Sequence, residues 1–464
     1  MQRLQYIALL LAVVAIGSVS CKKYLDIVPK GKIIPEKTAD YRLLLDQVNA
    51  AGKSAGFVRT FSNDLLMSDD IQVTSFSANF YGPAEQNLLS FAEHIYQDFE
   101  SDPDWESLYN QIYVTNLVIL QVMDAKNGTQ QEREQLMAEA RVHRAYAYLT
   151  LVNLYAKHYT SSTAATDPGV PLRKGLDFEE KLNRSSVQEV YDFIISDLKL
   201  ALGHLPAAPA LNFTYRPVEA STNALLARVY LYMNNMPEAF KYADASLKLY
   251  DELIDYNTVP PNPSFPGTLA IPPGLLNKEV LLYKSVTSAS SLFYADSNLI
   301  KLYDLQNDLR GTGRFASDAI FGLSFGYISS EWSGRTPAKG PSTAEMFLTR
   351  AEAYARAGQT SEAMNDLNTL RSFRYKTGSN YQLSAATPEE ALIKVKEERR
   401  RELAMQGIRW FDIKRYNSYD NDNITVIHNL SNNTYTLAPG SARTVLPIGR
   451  KYIALNPEIT QNPR

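Results

Sequence analysis

The chain has 464 residues, 45% of them apolar and 21% charged, with a formal net charge of −3. Those figures exclude a disordered chain, a collagen and a multi-span membrane protein, and they leave no global positive field to draw the chain to nucleic acid or acidic lipid. Tyrosine stands out, 29 residues against 3 Trp and 18 Phe; its flat apolar face and hydroxyl suit wet recognition surfaces, though helix packing uses it too.

The chain opens with Arg3, an almost unbroken apolar run over residues 6–16, and the small residues Gly17-Ser18-Val19-Ser20 before Cys21. A charged start, a short apolar stretch and small residues before a cut predict a signal peptide over residues 1–20. The apolar run is too short to span a bilayer comfortably. Cys21 is the only cysteine, which excludes an intrachain disulfide and a Cys-rich metal site. Its place at the presumed cut predicts a bacterial lipoprotein in which Cys21 carries the lipid, several acyl chains giving stable anchoring. Residues 21–34, with Pro29 and Gly31, then form a tether ahead of the body at 35–464.

Helices dominate the body. Residues 105–123 place Leu108, Ile112, Leu117 and Leu120 at helical spacing. Residues 130–159 predict a second helix and 185–202 a third, which Ser185 or Ser186 can cap, with Glu189 three residues after Ser186 in a capping-box arrangement. In residues 344–370, Phe347, Ala351 and Tyr354 precede a turn at Gly358, and Ala363, Leu367 and Leu370 come after it. This is the tetratricopeptide layout, in which a small residue lets two helices approach and a Tyr fills the groove beside it. Ala227, Tyr230, Ala239 and Ala243 repeat the spacing, and Ala145 with Tyr148 begin a fainter copy. The predicted fold is mostly α: tetratricopeptide-like hairpins in an α-α superhelix, with long irregular insertions and minor β. The body divides into a helical part over about 35–250 and a part with loop insertions over about 251–464.

Two insertions are candidates for recognition, because long loops on a rigid scaffold usually carry it. Residues 255–273 hold six prolines, among them Pro260, Pro263 and Pro273, which forbids helix or central strand. Residues 311–340 combine Gly and Ser with Phe315, Phe321, Phe325, Tyr327 and Trp332.

Few motifs point to catalysis. Gly322-Leu323-Ser324-Phe325-Gly326 matches the G-x-S-x-G nucleophile elbow. An elbow needs a strand before it and a helix after it, yet no helical period comes after this one, and His428 is the only downstream partner, so a hydrolase using Ser324 is a distant reading. His94, His143, His158, His204 and His428 share no metal-ligand spacing. Asp69-Asp70 and Asp420-x-Asp422 lack the glycine and distal Glu of a calcium loop and read as solvated turns. Residues 394–415 look like a basic patch, but Glu397, Glu398, Glu402 and Asp412 interleave it. Glu397 lies four residues before Arg401, and Lys394 can meet Glu397 or Glu398, so a structural ion network is the better reading.

That segment also carries a resemblance. Glu398-Arg399, Glu402-Leu403, Gln406-Gly407, Arg409, Asp412-Ile413 and Arg415 resemble the charged C-terminal signature of SusD/RagB-type outer-membrane lipoproteins. Leu446-Pro447-Ile448, Leu455-Asn456-Pro457 and Thr460-Gln461-Asn462-Pro463 are similar to that family's ending. Cys21 with Lys23-Tyr24-Leu25-Asp26, and Trp105 with Tyr109, Ile112 and Asn116, resemble its beginning. The resemblance implies a non-enzymatic, surface-exposed binding protein, anchored in the outer membrane and facing the cell exterior, that needs no cofactor. Its implied partner is a SusC-like TonB-dependent transporter, to which it delivers oligosaccharide or, in the rival reading, oligopeptide. Sugars are held by aromatic faces, with amides and carboxylates reading hydroxyls. The expected ligand contacts are therefore Trp332, Tyr327, Tyr81 and Phe80, with Asp69, Asp70 and Asn79 as polar groups. Trp105 and Trp410 are assigned to structure.

Overall fold

The computed structural model describes residues 35–47, 59–177, 179–287, 293–330, 338–430 and 433–464. Cys21, the signal and tether segments, and Trp332 lie outside the described residues. The longer helices are α1 (Thr38–Leu45), α2 (Pro103–Gln121), α3 (Gln130–Tyr155), α4 (Val187–Ala201), α5 (Glu219–Tyr232), α6 (Met236–Leu249), α7 (Thr343–Arg356), α8 (Thr360–Ser372), α9 (Pro388–Glu402) and α10 (Arg409–Tyr419). The strands are short: β1 (Arg59–Phe61), β2 (Ile71–Gln72), β3 (Pro168–Pro171), β4 (Arg184–Ser186), β5 (Ser285–Thr287), β6 (Tyr294–Ala295), β7 (Phe315–Ser317), β8 (Tyr327–Ser329), β9 (Val426–Leu430) and β10 (Asn433–Leu437).

Local chemistry starts the helices where the sequence predicts. Asp102 accepts hydrogen bonds from the Asp104 and Trp105 amides ahead of Pro103, and Ser186 and Glu189 close a capping box on α4. The helix predicted over 130–159 stops at Tyr155. The Lys414 ammonium donates to the Asn153 and Ala156 carbonyls, at 2.8 and 2.9 Å. That places a donor on the orphan acceptors at the negative end of α3, with burial pushing the Lys414 ammonium down to about 7, and residue 156 continues extended.

Adjacent helices pack in pairs, α2 on α3, α3 on α4, α5 on α6 and α7 on α8, and α7 also packs on α6 and α9. The small residues are where tetratricopeptide packing needs them. Ala227, Ala239, Ala243, Ala351 and Ala363 are fully buried. Tyr230 stacks on Tyr242 with ring centroids 5.6 Å apart, and Tyr354 meets Phe240 edge-on at 5.0 Å, joining one hairpin to the next. Gly358 turns α7 into α8 at φ +78°, a conformation that favours glycine.

The insertions hold more regular structure than the irregular loop expected over 311–340. Antiparallel strands run in the order β2-β6-β8-β7, and this sheet brings residues near 71 beside residues near 295 and 328. Its strands are only two or three residues long, and a two-residue strand carries too little alternation to read as periodicity. The tail closes the molecule. Asn462 donates to the Tyr155 and Leu446 carbonyls, while the Gln461 amide both donates to and accepts from the Ile448 backbone.

A candidate ligand platform

Residues 73–81 leave β2 into a 3-10 turn over Ser77–Phe80. Thr74 and Ser77 lock it by exchanging side-chain and backbone hydrogen bonds of 2.9 Å. The turn puts Phe76 and Phe80 four residues apart on one side, their rings 5.3 Å apart and edge-on. From the other segment, the loop between β7 and β8 delivers Phe325, whose ring stacks parallel to Phe76 at 6.0 Å and edge-on to Tyr294 at 6.3 Å. Beneath these rings Phe265, Tyr294, Ala316 and Ile328 form a separate buried cluster. The Pro-rich insertion braces it, because Phe265 meets Phe321 edge-on at 5.8 Å.

Solvent reaches the top of this stack. Phe80 is 52% exposed, Phe321 58% and Phe325 36%. A lone exposed ring needs no explanation, but several converging from remote segments form an apolar patch of the kind that marks interaction surfaces. The loop carrying Phe325 is held from below. The buried Asp318 carboxylate accepts from the Phe325 amide at 2.8 Å and from the Tyr294 hydroxyl at 3.2 Å. Burial pushes the Tyr294 hydroxyl up to about 12, and the Asp318 charge adds to the shift. Gly322, at φ +72°, makes the turn inside the loop. The result is a cluster of partly exposed rings on a preorganised base.

The predicted contacts divide. Phe80 is on the platform. Asn79 is beside it and exposed, its amide nitrogen donating to the Ser75 and Phe76 carbonyls. Tyr81 is turned inward, 4% exposed, against Phe293. Tyr327 lies in the sheet, but strand alternation sends it to the face opposite Ile328, where it packs on the main core. Asp69 is spent on Arg409, at 2.7 and 3.0 Å, and on Arg400. Burial raises its pKa, but Arg409 and Arg400 outweigh that and hold it below the usual carboxylate range. Asp70 is fully buried and accepts from Arg400 and the Met405 amide. These aspartates are ion-pair anchors rather than solvated turns or ligand contacts. Asp420 and Asp422 are likewise paired, with Arg356 and Lys396. Sequence reasoning does not single out Phe76, Phe321 and Phe325 as contacts; the four-residue spacing of Phe76 and Phe80 is the available signal.

The nucleophile elbow has no counterpart in the fold. Residues 322–326 come after a 3-10 turn and lead into strand β8, with no helix directly after Ser324. Both His428 ring nitrogens bond to backbone carbonyls, of Leu89 and Ser68. Among the described residues no group of His, Cys, Asp or Glu is arranged to hold a metal. Nor is any helix among them long and apolar enough to cross a membrane.

The charged segment is buried rather than a binding patch. Arg310, fully buried, pairs with Asp308, Glu398 and Glu402. Arg374 joins Glu402 to Glu279, Arg399 meets Asp412, and Arg415 joins Asp412 to Glu352. Arg401 does meet Glu397 at 3.7 Å. Lys394 pairs with Glu390 instead of Glu397 or Glu398, because Glu398 is turned inward onto Arg310, Arg371 and Arg401. Burial raises Glu402, yet Arg374, Arg310 and Arg314 hold it at about 2.

Comparison with known proteins bears on both regions. A family model described as starch-binding and associating with outer membrane matches residues 23–231, and the SusD family model matches residues 343–464. A curated SusD-like protein of Formosa agariphila is 26% identical over 195 residues, 40% of this chain, and the match spans only 35% of that relative's length. A SusD superfamily protein of Bacteroides thetaiotaomicron superposes with a TM-score of 0.73 at 19% identity, covering 92% of this chain and all of that one. A laminarin-binding SusD-like protein superposes at 0.62 and 18% identity, covering 86% and 93%. At these identities the superpositions establish the fold, the helical body with small sheets already described.

Proposed function

The chain belongs to the SusD family, and from that premise we propose that it captures oligosaccharide at the cell surface and passes it to a SusC-like TonB-dependent transporter. The observation that carries this reading is the exposed aromatic surface of Phe80 and Phe325 around Phe76, held on a sheet drawn from two remote segments. Ring faces of this kind bury the C–H faces of a sugar with little loss of side-chain freedom. Phe76, Phe80 and Phe325 supply the stacking surface in this reading and Asn79 a polar contact, with Trp332 proposed as a further contact on its residue type alone. The protein acts as a binder, with no catalytic residue assigned. Residues 1–20 are removed, Cys21 carries the lipid, and residues 21–34 tether the body to the outer membrane, facing the exterior.

Titration calorimetry against β-glucans such as laminarin, α-glucans and host glycans, beside peptide digests, tests the reading. Saturable binding to one glycan class supports it. Binding to peptide alone would transfer the same platform to oligopeptide cargo. Two of the three tryptophans, Trp105 and Trp410, are buried and not on the platform, so the described platform rests on phenylalanine, a ring that also packs on apolar peptide side chains. Co-purification with a barrel transporter from the native membrane tests the partner. Loss of membrane association in Cys21→Ala tests the anchor.

A further inference from the structure

A cavity of about 580 Å³ lies between the C-terminal end of α3, α10, the β9–β10 hairpin and the tail, apart from the platform residues. Its walls are apolar, with buried Ile413, Val426, Leu437 and Val445 among them. Its rim includes the exposed Thr163, Ser418 and Ala442. The volume is in the range that small-molecule sites occupy, roughly 300–1,000 Å³.

Two polar groups in its lining lack ordinary partners. Trp410 is 1% exposed, and its Nε1 has no hydrogen-bond acceptor among the described residues. His158 is 7% exposed, and neither ring nitrogen makes a well-formed hydrogen bond, the Tyr232 carbonyl being the one described backbone group near enough to act on it. Leaving a buried donor unmade costs about 1–3 kcal/mol, so a pair of such groups in one cavity wall calls for an explanation. Burial, with the Lys414 and Arg415 charges, keeps the His158 ring neutral, so it offers one N–H donor and one acceptor.

The charges around the cavity favour an acceptor. Lys414 lines it and, when protonated, has a third N–H beyond the two it gives to the end of α3. Asp167 is the only carboxylate among the described lining residues, and Lys157 occupies it at 2.8 Å. Donors therefore exceed free anions, and the remaining surface asks for an apolar body.

We propose that this cavity binds an amphipathic monocarboxylate, an aryl- or alkyl-carboxylic acid whose body packs on Leu437 and Val426 while its carboxylate accepts a hydrogen bond from Trp410 Nε1, with the protonated Lys414 beside it. The proposal does not depend on what the platform binds. Calorimetric titration of the whole protein with 4-phenylbutyrate and octanoate, beside the matching primary amides, tests it. The expected result is saturable one-to-one binding of an acid, at least ten-fold weaker for its amide. Trp410→Phe removes the N–H together with one ring of the indole and should weaken binding about ten-fold. Leu437→Trp fills the cavity and should abolish it. An unchanged circular dichroism spectrum and a cooperative urea transition in each variant establish that the body is intact, and if Trp410→Phe does not fold, Leu437→Trp alone decides. No saturable binding by the wild type, equal binding of acid and amide, or unaltered affinity in the folded variants would overturn it.

Discussion

The ion network of α9 and α10 and the aromatic platform above the β2-β6-β8-β7 sheet are opposite solutions to placing costly groups. In the first, formal charges that would be at home in water are buried: Arg310, Arg374 and Arg399 are all fully buried, each held by carboxylates. In the second, rings that would be at home in a core are left in solvent. Burying a charge is tolerable only when partners and hydrogen bonds satisfy it, and removing one partner is then far worse than never having had the pair. Exposing a ring forgoes its own burial, about 25 cal/mol per Å² of apolar surface. The difference locates stability in the charged segment, as the interleaved acids of the sequence suggest, and leaves the aromatic one free for the recognition proposed above.

The sharpest way to break that contrast is at Arg310. Arg310→Met leaves Asp308, Glu398 and Glu402 facing one another without their shared cation. It should cost about 3–5 kcal/mol in urea unfolding; a loss below about 1 kcal/mol would mean that the network is not what holds α9 in place. Acid probes the same network without mutation. Burial raises Glu398 and Glu352, but their arginines outweigh it and hold both well below the usual carboxylate range, with Glu402 at about 2. Their stabilisation is thus complete above the unfolded value of about 4.3 and is lost as pH falls through the folded values. Asp102 runs the other way. Burial raises it to about 6, so its contribution is present below about 3.9 and lost as pH rises through 6. Asp70, Glu279 and Asp366 are raised by burial as well, but the lowered carboxylates are more numerous, Asp69, Asp244 and Asp420 among them, so thermal melts should show the midpoint falling from pH 5 to pH 3; a midpoint that rises would contradict the assignment.

On the platform the effects should be smaller and should fall on binding. Asp318→Ala frees the Phe325 amide and the Tyr294 hydroxyl, costing about 1.5–3 kcal/mol. Because the loop loses its preorganisation, glycan affinity should drop several-fold in calorimetry even where the body stays folded; unchanged affinity would detach the loop from the site. Ser186→Ala provides the baseline. It removes a cap remote in sequence from both regions, and should lower stability by about 1 kcal/mol with no change in glycan affinity.

Most of the scaffold is legible in the sequence because its causes are local. Helical periodicity, the Ser186–Glu189 box and the alanine spacing of α5–α6 and α7–α8 act over a few residues, and each appears in the fold. The platform is harder because its causes are not local. Phe76 and Phe325 stack only after β2 pairs with β6, more than two hundred residues along the chain. Asp69 and Asp70 look like ligand groups because Arg400 and Arg409 stand over three hundred residues away, with nothing in either neighbourhood to announce the pairing. Tyr327 is misplaced for a different reason: a three-residue strand decides its face, and one step of register reverses it.

The most direct test is calorimetric titration of the Phe80→Ala/Phe325→Ala double variant against the glycan that the wild type binds, with urea unfolding on the same preparations. The account predicts a loss of at least ten-fold in affinity, with stability changed by no more than about 1–2 kcal/mol because both rings are already partly in solvent. Full glycan affinity in a folded double variant would contradict it.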